Sequence, residues 1–232
     1  PTLISSTRSG GCSGRLLNFC QSHSDLAAYD TVKYNTLQGY ATDILEIIDI
    51  LDLQNVIFVG HSVSAMMGVL SAIKTPALFS KLILIGPSPC YINDKNYFGG
   101  FDRADMLSML AYMERDYTLW ADTFAPLIMG NPDMPSLGEE LIESFCNTDP
   151  DIARHFAHVT FLSDNRPDLP KLQTEALIMQ CSDDIIAPEE VGDYVHKAIK
   201  NSTLVHLKAT GHCPNLSSPL EVIDIMESYL QV

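Results

Sequence analysis

The sequence predicts an α/β protein whose sheet is mostly parallel. Three short runs are apolar throughout instead of alternating between apolar and polar residues: NVIFVG (55–60), KLILIG (81–86) and EALIMQC (175–181). Strands of a parallel sheet have this pattern because both of their faces are buried. Helical patterns separate the runs, and this alternation of strand and helix indicates parallel strands joined by right-handed crossovers.

The remaining core elements are predicted from the same two periodicities. Before the first run, apolar residues at helical spacing predict a helix that ends near Leu51. A second helix is predicted over residues 65–74, where Thr75-Pro76 ends it. Downstream, the patterns predict a helix over 189–200, a fourth strand at STLVHL (202–207) and a closing amphipathic helix over 219–230.

The stretch between Phe101 and Ser163 contains no strand candidate, and its Phe, Met and Trp content exceeds what a solvated insertion needs. We therefore expect one α/β core, residues 1–101 and 164–232, that carries a helical lid, residues 102–163. Such a lid would cover the carboxyl ends of the strands, where α/β proteins bind ligands. A surface insertion without that role is the alternative. The four helices predicted in it span 102–113, 116–129, 136–147 and 150–162.

Composition restricts the classes of partner. The 232-residue chain is 46% hydrophobic and 19% charged, with a formal net charge of −15. This acidity argues against binding to nucleic acid or to an anionic membrane, because both require a basic face. No apolar stretch is long enough to cross a membrane, and the first residues lack the apolar segment of a signal peptide. The six cysteines form no CxxC pair, which favours reduced thiols and a cytoplasmic protein, with the nucleus as a further compartment if the source is a plant.

Cofactors and metals are not expected. The sequence contains neither a phosphate-binding loop nor a dinucleotide fingerprint. His155 and His158 lie three residues apart but lack the acidic companion of a metal motif. We therefore predict no organic cofactor and no metal site.

The strongest chemical signal is the stretch FVGHSVSAMMG (58–68). It approximates the G-x-S-x-G nucleophile elbow of the α/β-hydrolases, in which a serine occupies a sharp turn between a strand and a helix. Ser62 is the candidate nucleophile, and the N–H of Val63 is the candidate oxyanion donor. Ser64 replaces the last glycine of the motif, but it is small enough for the close approach of strand and helix. The alternative is a strand-to-helix turn that contains a serine by chance.

A serine nucleophile needs a base and an acid that orients the base, and in this fold the acid precedes the histidine in the chain. SDDIIAP (182–188) follows the third apolar run and offers Asp183 and Asp184. His212 lies in a glycine-flanked loop after the fourth strand. Each feature alone is weak, but three features in this order, each at a strand end, predict a Ser-Asp-His triad. Order alone leaves open which of the two acids serves.

Several motifs resemble a known group of small α/β-hydrolases, which includes the bacterial stress-signalling hydrolase RsbQ and the plant strigolactone and karrikin receptors. The resemblance extends from Ser24 to Leu230 and implies the α/β-hydrolase fold with a four-helix lid. It implies Ser62 as nucleophile, His212 as base and Asp184, four residues before Pro188, as the acid. The motifs that carry it are GHSVSAMMG, PALFSKLILIGPSPCYIND, YFGGF, DDIIAP and GHCPNLSSP.

The same resemblance implies a function and a pocket. The expected activity is slow hydrolysis of a small hydrophobic ester or lactone, linked to signalling through a protein partner at the lid. We expect the substrate pocket to be bordered by His61, Trp120, Phe124 and Phe161.

The front of the chain departs from the family pattern, because only 54 residues precede Asn55. Family members normally begin with several strands, and a loop after one of them supplies a second oxyanion donor. We expect a shortened sheet in which PTLI forms one strand and RSGGCSG retains part of that loop. Gly10 or Gly11 would then offer the second N–H.

The sequence is thus consistent with three hypotheses about function. The first is an active serine hydrolase. The second is a ligand-binding signalling receptor with slow or incidental hydrolysis. The third is a shortened product that folds poorly.

Overall fold

The computed structural model describes residues 2–8, 11–17 and 29–231; for the first two ranges it gives the strands and their pairing. The strands are β1 (Thr2–Arg8), β2 (Gly11–Leu17), β3 (Val56–His61), β4 (Phe79–Ile85), β5 (Glu175–Ser182) and β6 (Ser202–Thr210). The helices are α1 (Leu37–Ile50), α2 (Val63–Lys74), α3 (Arg103–Arg115), α4 (Tyr117–Met129), α5 (Pro135–Cys146), α6 (Pro150–Phe161), α7 (Glu189–Ala198), α8 (Pro214–Ser217) and α9 (Pro219–Leu230).

Six strands form one sheet in the order β2-β1-β3-β4-β5-β6. Strands β3 to β6 are parallel neighbours, whereas β1 pairs antiparallel with both β2 and β3. The predicted α/β class with a mostly parallel sheet is thus confirmed. The three apolar runs and STLVHL, the four predicted strands, correspond to β3 to β6.

Strands β3 to β5 are largely buried on both faces, which explains their continuous apolar runs. In β3, Phe58 packs in the cluster that contains the residues of α1 and α2, while Val59 packs in the cluster on the other face, beside Val222 of α9. In β4, Leu82 and Ile83 divide between the same two clusters. Successive side chains of a strand point to opposite faces, so a strand covered on both sides is apolar at every position.

Strand β1 runs in the direction that removes Gly11 from the elbow. Leu3 pairs with Val59 and Ser5 with Ile57, so β1 advances toward the amino end of β3. Arg8 pairs with Gly11 beyond that end. Ser62 follows the opposite end of β3, on the order of 25 Å away at 3.4 Å per strand residue. The N–H of Gly11 therefore cannot serve beside Ser62; Arg8 belongs to β1 and Gly11 to β2. Gly10 lies outside the described residues.

Helices α3 to α6 occupy the stretch between β4 and β5, close to the four predicted ranges. We call residues 103–161 the four-helix segment. Most of its buried apolar side chains form one cluster, which also includes Tyr91, after β4, and Cys213, after β6. The segment therefore packs where strands β4 and β6 end. Among the described residues, no helix has both the length and the apolar character to span a membrane.

Candidate active site

The turn between β3 and α2 holds Ser62 in an uncommon backbone conformation, with φ 57° and ψ −127°. A non-glycine residue with positive φ is strained and needs support from its surroundings. Here the Ser62 N–H donates to the Ile85 carbonyl at 2.8 Å, and the Ser62 carbonyl accepts from the Ala65 N–H at 3.0 Å. A Cβ at Gly60 would lie 2.7 Å from the Ala65 nitrogen, so the strand and helix approach closely only because residue 60 is glycine.

Ser64, the departure from the G-x-S-x-G pattern, makes two hydrogen bonds within the turn. Its hydroxyl donates to the His61 carbonyl at 2.8 Å and accepts from the His61 N–H at 2.9 Å. A hydroxyl can do both at once, whereas glycine can do neither through a side chain. Ser64 therefore fits the turn and also fixes the backbone of the residue before Ser62.

His212 joins the two other predicted residues. Its Nε2 lies 2.7 Å from Ser62 Oγ, and its Nδ1 lies 2.7 Å from Asp184 Oδ2. An ionised carboxylate only accepts, so His212 Nδ1 carries the proton and the bare Nε2 accepts the hydroxyl hydrogen of Ser62. Asp184 and His212 are each 4% exposed, so little water competes for these contacts.

The loop after β5 distinguishes the two candidate acids. Asp184 Oδ1 accepts from the N–H groups of Ile186 at 2.8 Å and Ala187 at 3.0 Å, which leaves Oδ2 for His212. Burial acts to raise the pKa of Asp184, but the neighbouring His212 and these hydrogen bonds outweigh it and hold the pKa below its usual range. Asp183, by contrast, is exposed and has φ 51°.

His61 contacts the backbone of His212. Its Nε2 lies 2.6 Å from the His212 carbonyl, and since a carbonyl only accepts, Nε2 carries the proton. The two rings lie 4.9 Å apart between centroids. Burial, with the neighbouring His212, lowers the pKa of His61 to about 3, so its ring is neutral near pH 7. This contact was not predicted, because no local pattern relates residues 151 positions apart.

The His212 loop is also held by the end of α4. The His212 N–H donates to the Ile128 carbonyl at 3.0 Å. Gly211 has φ 78°, and a Cβ there would lie 2.0 Å from the Met129 carbonyl oxygen. The Asn131 side chain donates to the carbonyls of Met129, at 2.6 Å, and of Thr210, at 3.1 Å. The four-helix segment and the His212 loop therefore form one hydrogen-bonded unit.

Val63, the predicted oxyanion donor, is the first residue of α2. The N–H groups in the first turn of a helix have no acceptor inside that helix and carry partial positive charge. The Val63 N–H, next to Ser62, is thus a helix-start donor without an acceptor inside its own helix.

The aromatic residues predicted for the pocket belong to the apolar cluster of the four-helix segment. Trp120 stacks on Phe124 at 5.5 Å between centroids, and Phe161 meets Tyr91 edge-on at 5.1 Å. Tyr91 was not predicted, although it follows the carboxyl end of β4, where a ligand would be expected. Burial raises the pKa of Tyr91, and the nearby Ser62 side chain partly offsets this rise.

In the part of the chain that the structure describes, no three His, Cys, Asp or Glu side chains lie close enough together to hold a metal ion. The chemistry available at this site is that of an activated hydroxyl beside a helix-start N–H. Such a set can transfer an acyl group.

Comparison with known proteins agrees with this chemistry. The chain is 38% identical over 203 residues to a strigolactone esterase of Arabidopsis thaliana, which covers 87% of this chain and 76% of that protein. It is 38% identical to a karrikin insensitive 2 receptor of Petunia hybrida, over 85% of this chain and 74% of the receptor. A solved hydrolase of Oleispira antarctica superposes with a TM-score of 0.86 at 39% identity, covering 89% of this chain and 76% of that one.

The sequence match to the Alpha/beta hydrolase family extends over residues 11–225. This match, the relatives at 38–39% identity and the strand–elbow–helix geometry at Ser62 show the same family. The chain belongs to the alpha/beta hydrolase family.

Proposed function

We propose that the protein is a serine hydrolase that cleaves a small hydrophobic ester or lactone with Ser62, His212 and Asp184. The observation that carries this proposal is the position of one buried imidazole, 2.7 Å from both Ser62 Oγ and Asp184 Oδ2. Esterase-named and receptor-named relatives support the substrate class.

The proposed reaction proceeds in two acyl transfers. Ser62 Oγ attacks the carbonyl carbon while His212 Nε2 takes the hydroxyl proton. The resulting imidazolium is stabilised by Asp184, whose lowered pKa keeps the carboxylate ionised. The oxyanion accepts a hydrogen bond from the Val63 N–H. His212 then gives its proton to the leaving alkoxide. Water, activated by the same imidazole, releases the acid and restores Ser62.

The four-helix segment is proposed as the lid and its aromatic cluster as the wall of the pocket, together with His61. Trp120 contributes an additional feature, because its buried Nε1 has no hydrogen-bond partner among the described residues. A buried donor without a partner costs free energy. In a substrate complex this N–H would donate to an oxygen of the bound ester or lactone.

The test is hydrolysis of p-nitrophenyl acetate by the wild type and by Ser62→Ala. Removal of the nucleophile is expected to lower kcat by roughly 10³-fold or more. Equal rates for the two proteins would refute the proposal.

A second candidate function is a ligand-operated signalling receptor, in which hydrolysis is slow or incidental. Two backbone features favour it: the Ile128 carbonyl accepts from the His212 N–H, and Gly130 and Gly211 approach closely. A movement of α4 would therefore reach His212. A protein partner would dock on the four-helix segment, which exposes Leu107, Leu119 and Leu127. Thermal shift of Ser62→Ala with a butenolide separates the functions, since a receptor that only binds keeps its response.

The proposed location is the cytoplasm. Cys90, Cys181 and Cys213 are buried free thiols, as expected in a reducing compartment.

A further inference from the structure

The backbone of His61, the last residue of β3, is hydrogen-bonded by a side chain. Neighbouring residues of a strand direct their N–H and C=O groups to alternate sides. Ser62 directs its N–H to Ile85 of β4, so His61 directs its own groups to the other side. On that side the described pairing of β1 with β3 ends at Val59. On that side, the partner that the described residues offer to the N–H and C=O of His61 is a side chain.

The Ser64 hydroxyl is that partner for both groups, at 2.9 Å from the N–H and 2.8 Å from the carbonyl. One side chain thus ties the backbone of His61 to the helix that follows Ser62 by two hydrogen bonds. Because the φ of Ser62 is positive and strained, the two residues that flank it, His61 and Val63, must be held for the turn to keep its shape.

The ring of His61 extends this hydrogen-bonded chain to His212. Its Nε2–H donates to the His212 carbonyl at 2.6 Å, while the His212 N–H is held by Ile128. The N–H of His212 is therefore held by α4, and its carbonyl is held by His61 of the elbow. The hydrogen-bonded chain from Ser64 through His61 thus reaches the His212 backbone without passing through the reacting atoms.

We propose that Ser64 is a positioning residue, which acts through His61 to hold His212 in line with Ser62. This inference rests on the proposed hydrolase function. It assigns a purpose to the residue that departs from the G-x-S-x-G pattern: its hydroxyl holds both backbone groups of His61.

The experiment compares Ser64→Ala with Ser64→Thr and with a matched control, Ser71→Ala. Ser71 lies on the same helix, is fully buried and donates to the carbonyls of Ala41 and Met67. Its loss removes a hydroxyl of the same kind away from the site. Ester hydrolysis, melting temperature and the proton resonance of His212 Nδ1–H are measured for each protein.

Ser64→Ala is expected to lower kcat about tenfold to a hundredfold, since small misplacements of a catalytic group have effects of this size, with KM nearly unchanged. Ser64→Thr keeps the hydroxyl and is expected to restore most of the rate. Ser71→Ala is expected to lower the melting temperature and leave kcat within about twofold, because distant buried losses act on stability. A kcat for Ser64→Ala equal to that of Ser71→Ala would overturn the inference.

Two further readouts do not depend on the variant rates alone. If Ser64 acts through His61, the losses from Ser64→Ala and His61→Phe are less than additive in the double variant, and full additivity would contradict the chain. The Nδ1–H resonance of His212 is expected to shift or broaden in Ser64→Ala but not in Ser71→Ala. This signal tests the positioning even if the wild type proves inactive toward the ester, an outcome that would refute the hydrolase function instead.

Discussion

Replacing Asp184 by asparagine tests the orientation of the base most specifically. In the wild type, Asp184 Oδ1 accepts two backbone N–H groups and Oδ2 accepts the proton of His212 Nδ1. An asparagine in the same place keeps its oxygen on the two N–H groups and turns its amide N–H₂ toward His212. The imidazole then protonates on Nε2 and accepts at Nδ1, so Nε2 can no longer take the proton of Ser62.

The expected loss follows from that tautomer change. A triad in which the carboxylate becomes an amide loses roughly 10⁴-fold in kcat with its geometry intact, which corresponds to about 5.4 kcal/mol at 1.36 kcal/mol per tenfold. The assay is p-nitrophenyl acetate hydrolysis by Asp184→Asn beside Asp183→Asn. Asp183 is exposed, so its variant is expected within about twofold of the wild type, as for most surface substitutions. Equal losses in both variants, or a loss only in Asp183→Asn, would refute this reasoning.

Three other predictions concern the turn at Ser62, the stability of the protein at low pH and the pocket. Gly60→Ala places a Cβ 2.7 Å from the Ala65 nitrogen, so urea denaturation is expected to show about 1–3 kcal/mol less stability; unchanged stability would contradict the close approach. The pKa of Asp184 is lowered in the folded state. Its contribution to stability is therefore present above the unfolded pKa and is lost as pH falls through the folded pKa, below about pH 4. Urea titrations over this pH range should show a smaller loss of stability for Asp184→Asn than for the wild type. Trp120→Phe removes a buried N–H that has no partner among the described residues, so stability is expected to hold while kcat/KM falls for oxygen-rich esters and not for plain alkyl esters; a uniform fall would argue against a polar contact from Trp120.

Much of this fold was predictable because its signals are local. The runs at 55–60, 81–86 and 175–181 are strands because a sheet covered on both faces requires apolar residues at every position. The elbow was predictable for the same reason, since a glycine before a serine and a small residue after it are needed where a strand and helix approach within van der Waals contact.

The parts that sequence did not predict depend on long-range register and on single hydrogen bonds. The direction of β1 is set by pairing with β3, and no residue in PTLI or RSGGCSG encodes whether that pairing is parallel or antiparallel. The support that Ser64 gives to His61 depends on two single hydrogen bonds of its hydroxyl. The choice of Asp184 over Asp183 came from family resemblance, and only the hydrogen bond to His212 gives it a geometric reason.

The central claim is that His212 activates Ser62 as a nucleophile, and covalent labelling measures this directly. The wild type is treated with a fluorophosphonate, and the adduct is located by peptide mass spectrometry while its rate of formation is followed. The expected result is a single adduct on Ser62, none in Ser62→Ala, and a rate that falls at least about a hundredfold in His212→Ala, as general-base catalysis contributes 10²–10⁴-fold. An adduct on another residue, or equal labelling rates with and without the imidazole, would contradict the claim.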